Sequence, residues 1–159
     1  MIDGLPKAGV DLGTADLIVG TSAGARAGAQ LATGVLDQGV AMYERGEIPP
    51  LDLPVTFQEF ITAVTHAAAG TTNRREAARR IANLEPLGAG LVAAADRTRM
   101  VRAHLPVDAW PQQRLEITVV DAYTGLRIAF DAASVLSLLD AVTPAARSPG
   151  STRWSPSTE

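Results

Sequence analysis

Ala15-Asp16-Leu17-Ile18-Val19-Gly20-Thr21-Ser22-Ala23-Gly24-Ala25 is the stretch on which the fold turns. Asp16-Leu17-Ile18-Val19 is a short, mainly apolar run that stops at Gly20, which predicts a buried strand. Gly20 to Gly24 then predicts a tight turn. From Ala25 to about Tyr43 the residues Ala25, Ala29, Ala32, Val35, Leu36 and Val40 recur at helical spacing, so one helix is expected there. Its small side chains suit close packing under a sheet. Strand, tight turn and helix in that order predict an α/β fold.

The turn also has the form G-x-S-x-G, with Gly20, Thr21, Ser22, Ala23 and Gly24 in sequence. This is the pattern of a nucleophile elbow, a sharp corner that lifts a serine hydroxyl off the end of a strand. Residues two places either side of such a serine are pressed close, so glycine is expected at both Gly20 and Gly24. The helix that follows points its positive end at the reaction centre, and the backbone N–H of Ala23 is placed to receive a developing oxyanion. Ser22 is the candidate nucleophile.

Outward from this corner the chain is first helical and then stranded. Gly46 and Pro49-Pro50 end the first helix. Thr56 to His66 predicts a second, with Thr56 and Glu59 forming a capping box. Thr72 or Asn73 caps a third that runs through Asn83. Leu91 to His104 predicts a fourth, ended by Pro106. Arg114 to Asp121 alternates and then becomes continuously apolar, as a strand entering a core does. Tyr123-Thr124-Gly125 supplies a turn, and Leu126 to Phe130 returns as the second strand of a hairpin. Ser134 to Val142 predicts a short helix with Val135, Leu138, Leu139 and Val142 on its apolar face. Periodicity ends at Pro144.

Composition narrows the function classes. The chain has 159 residues, of which 47% are hydrophobic and 19% charged, the profile of one globular domain. A net charge of −3 without a block of like charges argues against a nucleic-acid partner. With no cysteine, disulfides and thiolate metal sites are excluded. No His/Asp/Glu cluster suggests a metal, no cofactor motif appears, and no Lys follows the glycines as a P-loop requires. The N-terminus lacks a signal-peptide pattern, and no apolar stretch reaches the roughly 20 residues of a membrane span. A cytoplasmic protein is the expectation.

The segment from Ala15 to Ala25, followed by Gly28-Ala29-Gln30-Leu31-Ala32, resembles the patatin-like phospholipase family, whose members carry a near-identical GTSAGA elbow. Val120-Asp121-Ala122, Thr124-Gly125 and Phe130 are similar to a strand pair of bacterial members, and Asp140-Ala141-Val142 to the helix after it. The resemblance runs from about Gly9 to Val142 and is loose through the helical middle. It implies an incomplete three-layer α/β/α fold over residues 1–143, with a helical middle segment and a C-terminal strand pair. It also implies hydrolysis of lipid or other acyl esters by a Ser–Asp dyad, with peripheral membrane contact. The family's aspartate lies in a downstream Asp-Gly turn, and its glycine-rich oxyanion loop lies upstream of the elbow. Neither has a counterpart here, so this chain is expected to be inactive by itself, a remnant or at most a lipid-binding module.

Residues 144–159 depart from the family. Back-translated and read two bases later, they yield S-S-A-V-A-G-V-Y-P-V-V-S-I-D-G, which is similar to the family's continuation and ends in Asp-Gly. A frameshifted tail without selected structure is therefore expected, and the nucleotide sequence decides it.

Other candidates carry blander readings. Arg26, four residues after Ser22, shares its helical face and could attract an anionic head group, although a solvated arginine is the simpler expectation. Asp121 fits turn chemistry better than catalysis. Asp96 and His104 stand in the order of a hydrolase triad but fall on one predicted helix, so His66 and His104 are expected on helix surfaces. Arg74, Arg75, Arg79 and Arg80 are expected to form a solvated face with Glu76 and Glu85. No motif specifies an oligomeric state.

Overall fold

A computed structural model of the protein describes residues 9–47, 56–84, 94–121 and 124–143. It is a mixed α/β structure. After a single 3-10 turn at Leu12–Thr14 come strand β1 (Ile18–Thr21) and helices α1 (Ala23–Ala32), α2 (Leu36–Glu44), α3 (Phe57–Ala68), α4 (Arg74–Ala82) and α5 (Ala94–His104). Strands β2 (Leu115–Val120) and β3 (Arg127–Phe130) and the short helix α6 (Leu138–Val142) complete the described order.

The sheet has the order β1-β2-β3. β1 runs parallel to β2, with Ile18 opposite Leu115 and Gly20 opposite Ile117, whereas β2 and β3 form an antiparallel pair with Ile117 opposite Phe130. A parallel pair needs a crossover, and here the helices α1 to α5 supply it. The Gln113 side-chain amide donates to the Ala15 carbonyl, and the Ile18 N–H donates to Arg114 O at 2.9 Å, fixing where β1 enters the sheet.

The core lies on one face of this sheet. Leu115 and Ile117 point into it, and Ala25 and Ala29 of α1, Leu105, and Leu138, Ala141 and Val142 of α6 close over them. Small residues on α1 let the helix lie close to the strands, as their spacing anticipated. Trp110 packs against this core, and its indole N–H donates to Leu136 O at 2.9 Å. On the opposite face Val19 and Val120 are exposed, at 58% and 54%. Their register partners, Glu116 and Arg127, place both valines on the same side.

Several expectations need correction. The helix expected from Ala25 to Tyr43 is two helices. Gly34, at φ +73°, donates its N–H to Leu31 O at 3.1 Å, and Val35 N–H reaches Gln30 O at 2.9 Å. This paired pattern closes a helix through a left-handed glycine. The first strand is shifted toward the turn, taking in Gly20 and Thr21 and leaving Asp16 and Leu17 outside. The last helix begins at Leu138 rather than Ser134, capped by Ser137, whose hydroxyl accepts from Asp140 N–H at 3.1 Å. Val135 consequently leaves the apolar face and is 93% exposed.

Local signals elsewhere match the coordinates. Thr56 and Glu59 form the reciprocal capping box, and Asn73 rather than Thr72 caps α4, its side chain accepting from Arg75 N–H and Glu76 N–H. Hydrogen bonds from Thr56 hold the Glu59 carboxyl below its ordinary range. Leu91 to Ala93, Tyr123, Glu85 and the tail 144–159 lie outside the described residues.

Candidate active site at the β1–α1 corner

Ser22 stands between the last residue of β1 and the first of α1, with φ 53° and ψ −125°. Among the described residues it is the only non-glycine with positive φ. Its backbone occupies a sparsely populated region that costs a residue with a Cβ on the order of 1–3 kcal/mol. The neighbours over-determine it. Gly20 is locked in the ladder opposite Ile117, and the Ala25 N–H donates to Ser22 O at 3.1 Å, starting the helix at once.

The two flanking glycines are not equivalent. A Cβ on Gly20 would fall 2.6 Å from both Ala25 Cα and Gly24 O, positions that only backbone movement could relieve. At Gly24 a Cβ would meet nothing within 4 Å. The expectation that crowding demands glycine on both sides therefore holds at Gly20 and fails at Gly24, which faces open space at the mouth of the corner. Thr21 anchors the turn from the sheet side, donating its hydroxyl to Thr118 O at 3.0 Å.

Ser22 is exposed, and its side chain caps no helical N–H. Among the described residues its hydroxyl has no hydrogen-bond partner, so it is presented bare. As the first residues of α1, Ala23 and Gly24 have N–H groups without intrahelical acceptors, which leaves Ala23 free to donate to an oxygen held beside Ser22.

The corner opens onto a pocket of about 320 Å³ at the carboxyl ends of β1 and β2, where open α/β sheets commonly bind ligands. Ser22, Ala23, Ala25 and Arg26 form one wall; Ile117, Thr118 and Val119 form the floor; Val101 of α5 and Ala141 and Val142 of α6 close the far side. The wall beside Ser22 is polar and the far side apolar.

The remaining candidates separate clearly. Asp121 closes the hairpin: its carboxylate accepts from Thr124 N–H at 2.7 Å and from the Thr124 hydroxyl at 2.8 Å. His66 is exposed, as expected. His104 is not: it is 7% exposed, because the end of α5 is drawn under α1 where Gln30 Nε2 donates to the His104 carbonyl at 3.0 Å. Burial and, to a smaller extent, the nearby positive charge of Arg26 lower the imidazole's pKa and favour its neutral form. No hydrogen bond joins His104 to Ser22 among the described residues, so the two form no dyad there. Arg79 and Arg80 pair with Glu76 on an exposed face, at 3.8 and 3.0 Å. Among the described residues there is no cluster of three or more potential metal ligands and no helix long and apolar enough to cross a membrane.

No protein-family model matches the chain, and neither curated proteins nor solved structures compared with it include a match. The likeness to the patatin-like family rests on the residues quoted from the sequence.

Proposed function

We propose that this chain carries the nucleophile corner of a patatin-like serine lipid acyl hydrolase, a cytoplasmic enzyme whose full fold is a three-layer α/β/α sandwich. The supporting observation is the backbone of Ser22, held at φ 53° and ψ −125° between a strand and the N-terminus of a helix. A strained serine maintained at such a corner, above a pocket, is what nucleophilic attack on an ester asks for. Ser22 Oγ attacks the carbonyl carbon as its proton passes to a base. The carbonyl oxygen becomes an oxyanion that accepts from Ala23 N–H. Collapse expels the alcohol and leaves an acyl-serine, which water then hydrolyses.

The base is the component that no described side chain supplies. On this reading the Asp-Gly of the alternative frame across residues 144–159 is the dyad aspartate, and the chain as it stands turns over poorly. A non-catalytic lipid-binding role is the second reading, favoured by the bare Ser22 hydroxyl. Hydrolysis of a p-nitrophenyl ester separates the two, using this chain, the chain continued in the alternative frame of its own gene, and Ser22→Ala in each. The expected result is a rate near background for the first, turnover for the second and its loss with Ser22→Ala. Turnover in the continued chain that survives Ser22→Ala would overturn the nucleophile assignment. A continued chain without turnover would leave the lipid-binding reading in its place.

A further inference from the structure

Among the described residues, Arg26 is the only charged one lining the Ser22 pocket. Among the described residues it forms no hydrogen bond or ion pair, although it is half-buried and the pocket wall contains no carboxylate. Its placement follows from the helix. Ser22 is the N-cap of α1 and Arg26 lies one turn further on, on the same face. Helical side chains lean toward the N-terminus, and Arg26 and Ser22, about 6 Å of helix rise apart, line the same pocket. His104 adds no second cation to this region, since burial favours its neutral form. Among the described residues the pocket thus combines the Ser22 hydroxyl, an apolar far wall and one positive charge without an ion-pair partner.

We propose that Arg26 is a specificity-determining residue that receives a negatively charged group of the substrate, so that the site selects acyl esters bearing a phosphate or similar anion over neutral esters. The inference rests on the assignment of Ser22 as an esterolytic nucleophile. The acyl chain takes the apolar side of Val101, Val119 and Val142, and the anion sits against the guanidinium. Charge-assisted hydrogen bonds to a planar, bidentate donor supply the discrimination. A neutral ester of the same chain length leaves the guanidinium without that partner.

The test is equilibrium binding to the full chain carrying Ser22→Ala, in which catalysis cannot consume the ligand. A lysophosphatidic acid and the monoacylglycerol of the same chain differ only by the phosphate, and inorganic phosphate serves as the third probe. The phosphate-bearing lipid is expected to bind about tenfold tighter than the neutral one. Adding Arg26→Gln should abolish that ratio, and Arg26→Lys should keep most of it. An unchanged ratio in Arg26→Gln, or an equal loss for both lipids, would overturn the proposal. So would inorganic phosphate binding as tightly as the lipid, which would mark a free-anion site rather than a substrate site. Because this measurement needs no turnover, failure of the ester assay and failure of the Arg26 assignment remain distinguishable.

Discussion

At the scale of single residues, Ser22 is the one non-glycine among the described residues held at positive φ. Its conformation is one that glycine adopts freely, so Ser22→Gly should raise stability by about 1 kcal/mol, whereas Ser22→Ala should not. Denaturant midpoints of the two variants against the parent chain check this; equal midpoints for Gly and Ala would contradict the strain. His104 gives a pH signature. Its folded pKa is depressed below the ordinary value of 6.5, so between the two values the unfolded chain binds the extra proton. The associated stability is present above pH 6.5 and is lost as pH falls through the folded pKa. Melting temperatures between pH 7.5 and 5 should therefore fall more steeply in the parent than in His104→Gln. The strand-to-helix corner at Ser22 was legible because its glycine, serine and small residues are local in sequence. The burial of His104 was not, because it depends on α5 meeting α1 through the Gln30 contact across 74 positions.

Among the elements, those written by short-range chemistry were the readable ones. The capping box at Thr56, the Asn73 cap and the Asp121 turn each involve groups within three residues of one another, and each forms. The break between α1 and α2 was written just as locally, in Gly34, but the apolar spacing running through it suggested a single helix. Gly34→Ala tests the reason for the break. A side chain at φ +73° costs about 1–2 kcal/mol, and the variant should be destabilised by roughly that amount in chemical denaturation. An unaltered midpoint would mean that another feature ends α1. Val135 shows the opposite error: helical spacing placed it on an apolar face, but the Ser137 cap starts the helix only after it.

For the whole molecule, the uncovered sheet face dominates expectation. Val19 and Val120 stand exposed on the side away from α1 and α6, and Leu17 lies just before β1 at 37% exposure. Apolar side chains grouped on an open sheet face favour association. The chain alone should sediment as a mixture of species at micromolar concentration, and the double variant Val19→Thr, Val120→Thr should shift it toward monomer. A parent chain that is already a uniform monomer with a sharp melt would contradict this. The α/β class was legible from the order of strand, turn and helix, and an incomplete fold with an open face was expected, whereas which face of the sheet stays open was not legible. Period-two alternation says that a strand has two faces, and it does not say what lies over the second.

The pairing of Ile18 with Leu115 has a kinetic consequence. During synthesis the serine corner emerges ahead of β2, and β1 finds its parallel neighbour only after 97 further positions have been added, when β2 leaves the ribosome. Closing so long a loop is slow, and until it closes nothing holds Gly20 in the ladder that fixes the neighbouring corner. The strained backbone at Ser22 is therefore a late product of folding: nascent chains stalled before β2 would carry Ser22 as an ordinary, unstrained serine.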